Sequence, residues 1–546
     1  MRTDHAFPTL TVQQMSRLEA RGHRRHTARG EVLAETGDKA LLFFVVVTGT
    51  IDVVRQIGGA ETVIVTLHAG QFTGDGNILT GRRSLARLRV GDAGEVIQLD
   101  RDRLLAQIQT DAELSEVLLR GFMLRRSELM THGRGDVVVV GSEHSAATLR
   151  VKEFLTRNGH PFNAIDVERD RGAEELLDRF QVKVSDTPVV ICRGEVVLRN
   201  PSNADLADCL DFNEKVDDSH VFDVVIVGAG PAGLASAVYA ASEGLDVLLL
   251  ESNVPGGQAG SSSRIENYLG FPTGISGLEL TGRAYVQALK FGAHVLVAKG
   301  AARLSCAGQV FTVDVDNGPS VAARAVIVAT GAAYRRLQLE NLSKFEGAGV
   351  YYAATAMQAQ FCENQEVVVV GGANSAGQAA VFLATSSRRV HMLIRGAGLA
   401  ESMSRYLIRR IEDNPAIALR PNTQMIALEG RDRLERVRWR DERSGEIETH
   451  EIGHVFMMTG AAPNTEWLRG CVALDDKGFV KTGAALSADD LAAAEWSLAR
   501  PPYLLETSRP GIFAVGDVRS DNVKRVASAV GEGSIAVAFV HQLLRP

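Results

Sequence analysis

The 546-residue sequence has no closely spaced cysteines and no residue cluster typical of a metal site. Its 13 histidines form neither an HxH nor an HExxH pattern. The cysteines lie at least 17 residues apart, which excludes CxxC and metal-type spacings. We therefore predict no bound metal ion, and free thiols in a reducing compartment, for the five cysteines Cys192, Cys209, Cys306, Cys362 and Cys471.

Strong positive charge and long apolar runs are also absent. The net charge of −7 and pI near 6.1 argue against a nucleic-acid partner. No apolar run approaches the roughly 18 residues of a membrane span, and the first residues, MRTDHAFPTL, contain no signal-peptide core. We expect a cytoplasmic protein without a membrane partner, and the length predicts about three to four domains.

Two glycine-rich loops are the most informative features that are present. Residues 228–233 (GAGPAG) follow the apolar run Asp223–Val227, and residues 371–376 (GGANSA) follow Glu366–Val370. Small helix-forming residues come after each loop, so both have the strand–turn–helix pattern whose backbone N–H groups bind a pyrophosphate. Two such loops, 143 residues apart, predict a flavin site and a nicotinamide site in one enzyme.

From His220 onward the sequence resembles the low-molecular-weight thioredoxin reductases. The second strand after the first loop ends at Glu251, an acid that can accept hydrogen bonds from an adenosine ribose. Further matching segments are PGGQ at 255–258, IENY at 265–268, ATG at 329–331, GD at 516–517 and KRVA at 524–527. The resemblance implies FAD bound by Gly228, Gly230, Pro231, Ala232, Gly233, Glu251, Gly257, Gln258, Asn267, Ala329, Thr330, Gly331, Gly516, Asp517, Arg525 and Val526.

The second glycine loop belongs to a domain that we expect to be inserted into the first. Residues 220–337 and 458–546 would form the FAD-binding domain, and residues 338–457 the NAD(P)H-binding domain. Its second strand ends at Arg395 instead of an acid, and an arginine there can pair with a 2′-phosphate. We therefore predict that NADPH is preferred, with NADH possible, at Gly371, Ala373, Asn374, Ser375, Ala376, Arg395 and Arg405. Arg405, Arg409 and Arg410 are equally typical of a solvated basic helix face.

Residues 1–133 alternate short β-forming runs with glycine turns and end in a helical stretch, Asp111–Met130. The segments GEVLAETGDKALLFFVVVTGTIDVV and GQFTGDGNILTG resemble the β-roll of cyclic-nucleotide-binding domains. Gly74–Asp75 and Arg83–Ser84 occupy the places of that family's ribose-binding acid and phosphate-binding arginine. Because Asp75 is shorter than the family's glutamate and the following loop is also shorter, we predict weak cyclic-nucleotide binding and a role in dimerisation or docking.

Residues 136–213 have a β-α-β-α-β-β-α pattern, with predicted helices at 146–158 and 174–180. Thr187–Pro188, before an apolar strand, resembles the cis-proline signature of glutaredoxins and thioredoxins. Residues 145–148 (SAAT) align with the redox CxxC of that family. Thiolate exchange needs two sulfurs there, so we predict a docking domain without redox activity.

A second dithiol is missing from the flavoprotein part. Residues 349–352 (GVYY) resemble those that precede the redox CATC-type motif of thioredoxin reductases, but the next four are AATA, at 353–356. Cys362 follows six residues later without a partner, and we interpret it as a buried, inert thiol. The sequence assigns no catalytic residue.

The predicted fold class is multidomain, with an N-terminal β-roll, a thioredoxin-like α/β domain and two nested Rossmann-type α/β nucleotide-binding domains. The predicted function is an NAD(P)H-dependent FAD oxidoreductase whose electron acceptor, a small molecule or a redox protein, is not an internal disulfide. Two alternatives are a redox sensor that acts through the N-terminal domains and a reductase of a partner protein's disulfide. The family resemblance implies a homodimer.

Overall fold

A computed structural model describes residues 3–39, 42–57, 60–131, 136–143, 145–170, 186–193, 196–217, 219–306, 310–431 and 433–545. The predicted helix at 174–180 lies outside the described residues. The chain divides into two compact units. The first comprises Met1–Ser142, Val151–Asp217 and Val286–Ala298, and the second comprises Glu143–Arg150, Asp218–Tyr285 and Lys299–Pro546.

Eleven described strands and seven described helices precede residue 217. The strands are β1 His23–Thr27, β2 Val32–Ala34, β3 Leu42–Thr48, β4 Ile51–Ile57, β5 Ala60–Leu67, β6 Arg87–Val90, β7 Gly94–Asp100, β8 Val137–Val140, β9 Phe162–Ile165, β10 Val189–Cys192 and β11 Val196–Arg199. The helices are α1 Thr3–Ala6, α2 Val12–Glu19, α3 Gly76–Thr80, α4 Arg101–Thr110, α5 Ala112–Thr131, α6 Ala146–Arg157 and α7 Asn203–Cys209.

Two antiparallel sheets, in the orders β1-β7-β3 and β2-β6-β4-β5, form the N-terminal roll. Strand β3 is buried on both faces because its side chains alternate between two apolar clusters. Phe43 and Val45 pack with residues of α4 and α5, whereas Phe44 and Val46 pack with residues of the second sheet. The run of consecutive apolar residues in β3 is therefore a core strand of the roll.

The helical stretch predicted at 111–130 is observed as α5, but the structure adds a separate helix, α4, directly before it. Asp111 lies between them in an extended conformation, with φ −122° and ψ 101°. Its carboxylate accepts a hydrogen bond from the backbone N–H of Leu114 at 3.1 Å, so it caps the second helix.

A four-stranded sheet follows in the order β11-β10-β8-β9. Strands β8 and β9 are parallel, whereas β10 is antiparallel to both β8 and β11. The Thr187–Pro188 peptide bond before β10 is cis. The described strands of this segment thus follow the predicted order, with a cis proline at the predicted position.

The remaining elements carry the two glycine loops. The strands are β12 Val221–Val227, β13 Val247–Glu251, β14 His294–Val297, β15 Ala301–Ser305, β16 Phe311–Val315, β17 Ser320–Val328, β18 Ala332–Tyr334, β19 Val350–Tyr351, β20 Glu366–Val370, β21 Arg389–Leu393, β22 Ile417–Arg420, β23 Thr423–Glu429, β24 Arg436–Asp441, β25 Ile447–His450, β26 Val455–Met457, β27 Ala461–Pro463 and β28 Ile512–Ala514. The α-helices are α8 Pro231–Ser242, α9 Gly257–Gly260, α10 Gly277–Lys290, α11 Leu342–Phe345, α12 Ala356–Phe361, α13 Asn374–Leu383, α14 Arg405–Glu412, α15 Ala488–Ala493 and α16 Val526–Leu544.

The second unit contains one nucleotide-type sheet nested within another. Strand β12 pairs in parallel with β13 and β17, and β28 from the end of the chain pairs in parallel with β17. Between β17 and β28 the chain forms a parallel sheet in the order β19-β26-β20-β21-β22. It leaves the outer sheet through β18 and returns through β27, and these two strands pair antiparallel.

The expectation of five free thiols is wrong, because Cys306 and Cys471 form a disulfide. Their Cα atoms are 6.0 Å apart, a usual separation for a disulfide. Cys306 follows β15 and Cys471 follows a short 3₁₀ helix, Glu466–Leu468, so tertiary packing brings together residues 165 positions apart. Cys192, Cys209 and Cys362 are free.

The final helix also differs from the sequence-based expectation about apolar runs. By length and composition alone, α16 could cross a membrane, which is weak evidence because core helices have the same properties. Its glycine Gly533 packs so closely on α8 that an added Cβ would lie 2.5 Å from the carbonyl oxygen of Ala232. We therefore interpret α16 as a packing helix of the fold that carries the first glycine loop.

Candidate functional site

The first glycine loop connects β12 to α8, and its three glycines have different roles. Gly228 has φ +105°, and a side chain there would collide with the carbonyl of Ala329. A Cβ on Gly233 would collide with the carbonyl of Gly228. Gly230 instead has an ordinary φ of −71°, and a Cβ would meet nothing nearer than the Cα of Gly257, at 4.0 Å. Gly228 and Gly233 are thus required by the fold, whereas Gly230 leaves a cradle open beside the helix N-terminus.

This helix N-terminus is suited to an anion. Gly230 caps α8 without a side-chain hydrogen bond, and Pro231 occupies the first helical position. The buried Ala232 and Gly233 complete the first turn, whose N–H groups have no intrahelical acceptor. The open face at Gly230 therefore fits the pyrophosphate of a dinucleotide.

Glu251, at the end of β13, holds the glycine loop in place. Its carboxylate accepts hydrogen bonds from the backbone N–H groups of Ala229 and Asn253, each at 2.8 Å. The side chain is buried. Each carboxylate oxygen can accept more than one hydrogen bond, so a ribose hydroxyl can still be bound there.

The segment predicted to face the flavin, residues 255–258, follows strand β13. Gly256 and Gly257 have φ values of +109° and +53°, and the Gln258 amide donates a hydrogen bond to the Ala332 carbonyl. Thr330 and Asn464 form reciprocal hydrogen bonds of 2.8 and 2.9 Å. The same region includes the buried Ala329, Gly331 with φ +63° and the exposed Asn267.

The Asp517 carboxylate can accept a hydrogen bond from a ligand hydroxyl group. Within the described part of the chain, no donor forms a hydrogen bond with its carboxylate, although Lys524 donates to its backbone carbonyl at 3.2 Å. Burial raises the pKa of Asp517, which the nearby Glu532 also raises and Lys524 lowers. Gly516 precedes it with φ +72°, and Arg525 and Val526 begin α16 nearby in sequence.

Two residues near this group were missed by the sequence analysis. Glu532 accepts hydrogen bonds from the Gly516 N–H at 2.7 Å and from the Arg519 guanidinium at 2.5 Å, so it holds the turn that presents Asp517. Burial raises the pKa of Tyr334, the nearby Ser375 hydroxyl lowers it and the charge of Asp517 raises it further. Its position three residues after the ATG motif was the available signal.

The second glycine loop repeats the geometry of the first. Gly371 follows β20 with φ +143°, and a Cβ there would collide with the carbonyl of Met458. Ala373 caps α13, whose first turn includes Asn374, Ser375 and the buried Ala376. The side-chain amide oxygen of Asn374, Oδ1, accepts hydrogen bonds from the backbone N–H and the hydroxyl of Ser404, at 2.9 and 3.0 Å. The loop can therefore present backbone N–H groups to a second nucleotide.

Two of the predicted phosphate-binding cations are exposed, and one neighbouring arginine is engaged. Arg395 follows β21, and Arg405 begins α14; in the described structure neither has an ion-pair partner. Arg410, on the same helix as Arg405, forms an ion pair with Glu266 at 2.6 Å. Arg410 remains 47% exposed, so this surface ion pair agrees with the interpretation of the helix face as solvated.

A small cavity of about 30 Å³ adjoins the second glycine loop, the segment after Gly257 and the position of the missing dithiol. Its lining includes Gln258, Tyr334, Ala353, Ala354 and Ser375, and no cysteine among the described residues contributes to it. Cys362 is fully buried instead, and its thiol donates a hydrogen bond to the Gln358 carbonyl at 3.2 Å. Burial raises its pKa to about 12, so it is a poor nucleophile.

The other missing dithiol position lies in the same unit. Residues 143–150 belong to the second unit, and Ala146 lies against Gly347. Leu149 is part of the apolar cluster that contains Ala354 and Cys362. Both segments that lack a redox dithiol therefore contribute to one packed region of the second unit.

The cyclic-nucleotide positions of the roll are already bound by protein groups. Arg83 forms an ion pair with Asp211 and donates to the Gly37 carbonyl at 2.9 Å. Asp75 caps α3 by accepting from the Asn77 N–H at 2.9 Å, and Arg126 lies 3.5 Å from its second oxygen. This geometry favours weak cyclic-nucleotide binding.

Comparison with known proteins covers both ends of the chain. Residues 222–533 match the family "Pyridine nucleotide-disulphide oxidoreductase", and residues 24–111 match the "Cyclic nucleotide-binding domain". Thioredoxin reductases of Mycolicibacterium smegmatis and Ureaplasma parvum are 35% and 31% identical, over 58% and 60% of this chain and 94% and 98% of their own.

The structure is also similar to two crystal structures of thioredoxin reductases. The Lactococcus lactis protein (FR conformation) has a TM-score of 0.53 at 28% identity, and that of T. acidophilum has 0.52 at 29%. Each match covers 59% of this chain and 98% of the other.

Proposed function

Because the chain belongs to the pyridine nucleotide-disulphide oxidoreductase family, we propose that it transfers electrons from NADPH through FAD to an acceptor other than a disulfide within its own chain. It is an NAD(P)H-dependent flavoprotein oxidoreductase, and FAD and NADPH are its cofactors. The bound flavin supplies the hydride chemistry, and the protein supplies position and electrostatics. We also expect a cytoplasmic homodimer.

In this proposal the first loop binds FAD and the second binds NADPH. The open face of Gly230 admits the pyrophosphate, Glu251 accepts from the ribose and Asp517 accepts from a ribityl hydroxyl. Tyr334 and Ser375 of the second loop line the same cavity. Gly228, Pro231, Ala232 and Gly233 lie on the first loop, and Gly371 and residues 373–376 lie on the second, where their backbone groups can orient each nucleotide.

The proposal about the acceptor rests on the cavity beside Gln258, whose described lining includes no cysteine. A flavoprotein that reduces disulfides through its own dithiol needs two sulfurs beside the flavin. The two positions that would hold them are 353 and 356, and Ala353 lines the cavity, while Cys362 is buried and hydrogen-bonded. Quinones, oxygen and ferredoxin-like proteins need no such relay, so they are the favoured acceptor classes.

An acceptor screen on FAD-loaded protein tests this proposal. We expect continuous NADPH oxidation, at about 1–10 turnovers per second, with at least one quinone or one-electron protein acceptor. Repeating the assay under anaerobic conditions distinguishes NADPH oxidation by oxygen from NADPH oxidation by the added acceptor. Stoichiometric reduction of the flavin without turnover, for every acceptor class, would instead support a redox sensor.

The sensor is the second candidate because a cyclic-nucleotide-binding module precedes the flavoprotein part. The reductase of a partner's disulfide is the third, and it would require direct contact between that disulfide and the flavin. We expect any cyclic nucleotide to bind only weakly, since Arg83 and Asp75 are engaged within the roll.

The exposed Arg395 predicts a coenzyme preference. NADPH should reduce the flavin faster than NADH, and Arg395→Ala should lose about 1.5–3 kcal/mol of charge-assisted bonding, or roughly 10–150-fold in preference. Stopped-flow measurement of flavin reduction with both coenzymes provides the ratio.

Arg443→Ala is the matched control, because Arg443 is exposed in a turn between β24 and β25. It should leave the ratio unchanged, whereas Arg405→Ala reports whether the second cation contributes. Equal wild-type rates with NADPH and NADH would contradict the prediction.

A further inference from the structure

The N-terminal roll contains a cavity of about 330 Å³ that the flavin chemistry does not use. Strands β2, β4, β5 and β6 and helices α3 and α5 contribute to its lining. Most of this lining is aliphatic, including Val53, Ile64, Val65, Leu67, Ile78 and Leu88. Protein interiors contain few voids larger than a water molecule, so a cavity of this size indicates a small-molecule site.

The two hydroxyl groups of the lining are already hydrogen-bonded within the protein. The Thr73 hydroxyl accepts a hydrogen bond from the Phe44 backbone N–H at 2.9 Å. The Ser84 hydroxyl donates to the Ala86 carbonyl at 2.8 Å. Each hydroxyl thus has a hydrogen-bond partner without a ligand.

The charged groups of the lining balance one another. Two are arginines, Arg55 and Arg125, and two are acids, Asp75 and Glu128. Burial lowers the pKa of Arg125 to about 10, and the charges of Asp75 and Glu128 act in the opposite direction. The lining therefore has no excess of formal charge that would attract an ion of either sign.

Two of these charges are also engaged by other parts of the protein. Arg125 donates from Nε to the Ala6 carbonyl at 2.8 Å and from Nη1 to the Gly74 carbonyl at 2.7 Å, and its Nη2 has almost no accessible surface. Arg126 lies 3.5 Å from a carboxylate oxygen of Asp75. A charged ligand would have to lose its hydration without gaining a matching partner, which is unfavourable.

A cyclic nucleotide does not fit this arrangement. The arginine in the phosphate-binding position, Arg83, does not line the cavity and is held by Asp211 and Gly37. The acid in the ribose-binding position, Asp75, faces Arg126. The groups that would bind a sugar phosphate are thus occupied, while an aliphatic volume remains.

We propose that the cavity of the roll binds a neutral, largely apolar small molecule of up to about a dozen non-hydrogen atoms, held by the aliphatic lining. An apolar cavity of about 150 Å³ binds benzene, and scaling by volume gives this ligand size. The site lies within the first unit, and the proposal is independent of the electron acceptor.

Calorimetric titration of the full-length, FAD-loaded protein with 1-octanol, octanoate and octylammonium tests this site, because the three probes differ mainly in charge. Each has about nine or ten non-hydrogen atoms, which the cavity can hold by the same volume comparison. We expect 1-octanol to bind with a dissociation constant below about 1 mM, and each ion at least about tenfold more weakly, since a buried charge would lack a partner. Cyclic AMP should bind with a dissociation constant above about 10 μM.

Two substitutions on strand β5 distinguish an effect on the cavity from an effect on the fold. Val65→Phe fills the cavity from its lining and should abolish 1-octanol binding. Val63→Phe is the matched control, because Val63 is 46% exposed and lies outside the lining. It should bind 1-octanol as the wild type does.

Leu88→Ala enlarges the cavity and provides a second test if Val65→Phe does not fold. Removing part of a lining side chain leaves additional volume, so the ratio of 1-decanol affinity to 1-octanol affinity should rise at least about threefold over the wild type. Arg83→Ala should leave 1-octanol binding unchanged, because Arg83 is outside the lining.

Three results would overturn the proposal. The first is equal affinity for the three probes, tighter binding of either ion, or no binding of 1-octanol at about 1 mM. The second is 1-octanol binding that survives in a folded Val65→Phe variant, which would place the ligand elsewhere. The third is cyclic AMP binding below about 10 μM that is lost in Arg83→Ala, which would assign the roll to a cyclic nucleotide.

Discussion

Replacing Gly230 with valine should yield a folded but colourless protein that no longer binds FAD. The backbone at Gly230, with φ −71° and ψ −177°, is accessible to any residue. A Cβ there would meet nothing nearer than 4.0 Å, so the chain without cofactor should tolerate valine. The added methyl groups would instead occupy the space of the pyrophosphate. We expect FAD affinity to fall by far more than tenfold, measured as flavin absorbance per chain after gel filtration.

Gly282→Val is the matched control for this substitution. Gly282 is exposed on α10, and a Cβ there meets nothing within 4 Å. This variant should retain about one FAD per chain, while circular dichroism confirms that both variants are folded. Full FAD occupancy in Gly230→Val would refute the assignment of FAD to the first loop.

Wild-type protein should also show no NADPH-dependent reduction of thioredoxin or of an aromatic disulfide above the free-flavin background. Thiol–disulfide exchange requires a thiolate that attacks sulfur, and the described lining of the cavity beside Gln258 has Ala353 and Ala354 but no cysteine. The double substitution Ala353→Cys and Ala356→Cys should create measurable activity, since a dithiol would then occupy the family's position. The measurement is NADPH oxidation with each disulfide under anaerobic conditions.

The control is the double substitution of the same two alanines by serine, which changes their size similarly but adds no sulfur. It should remain inactive. Rapid thioredoxin reduction by the wild type would contradict the prediction, and two further measurements would identify its route. Persistence after alkylation of the free cysteines would indicate direct contact with the flavin, whereas loss in Cys362→Ala would indicate a role for that thiol.

The nucleotide-binding part was largely predictable because its signals are local. A β-forming run, a glycine turn and small helix-forming residues are consecutive in the chain, and both loops have the predicted strand–turn–helix geometry. The positive φ values of Gly228 and Gly371 explain why these two positions are glycine. Glu251 and Arg395 could likewise be located because each ends or follows a strand that is recognisable by itself.

Contacts between distant residues were not predictable from local patterns. Cys306 and Cys471 are 165 residues apart, and only the packing of β15 near the 3₁₀ helix brings them together. Glu266 and Arg410 are 144 residues apart in sequence and form an ion pair. No periodicity or spacing encodes such pairs, because they depend on how separate elements are oriented.

The sequence by itself determined the class of chemistry, through its two nucleotide loops and the alanines at 353 and 356. These features act through backbone conformation and through the presence or absence of sulfur, which are properties of single residues and their immediate neighbours. Only the tertiary structure decided which charged groups are free to act. Among the described residues it engaged Arg83 with Asp211 and left the Asp517 carboxylate without a hydrogen-bond donor. The physical reason is that burial and pairing of a charge depend on residues far away in the chain, whereas the identity of the charge does not.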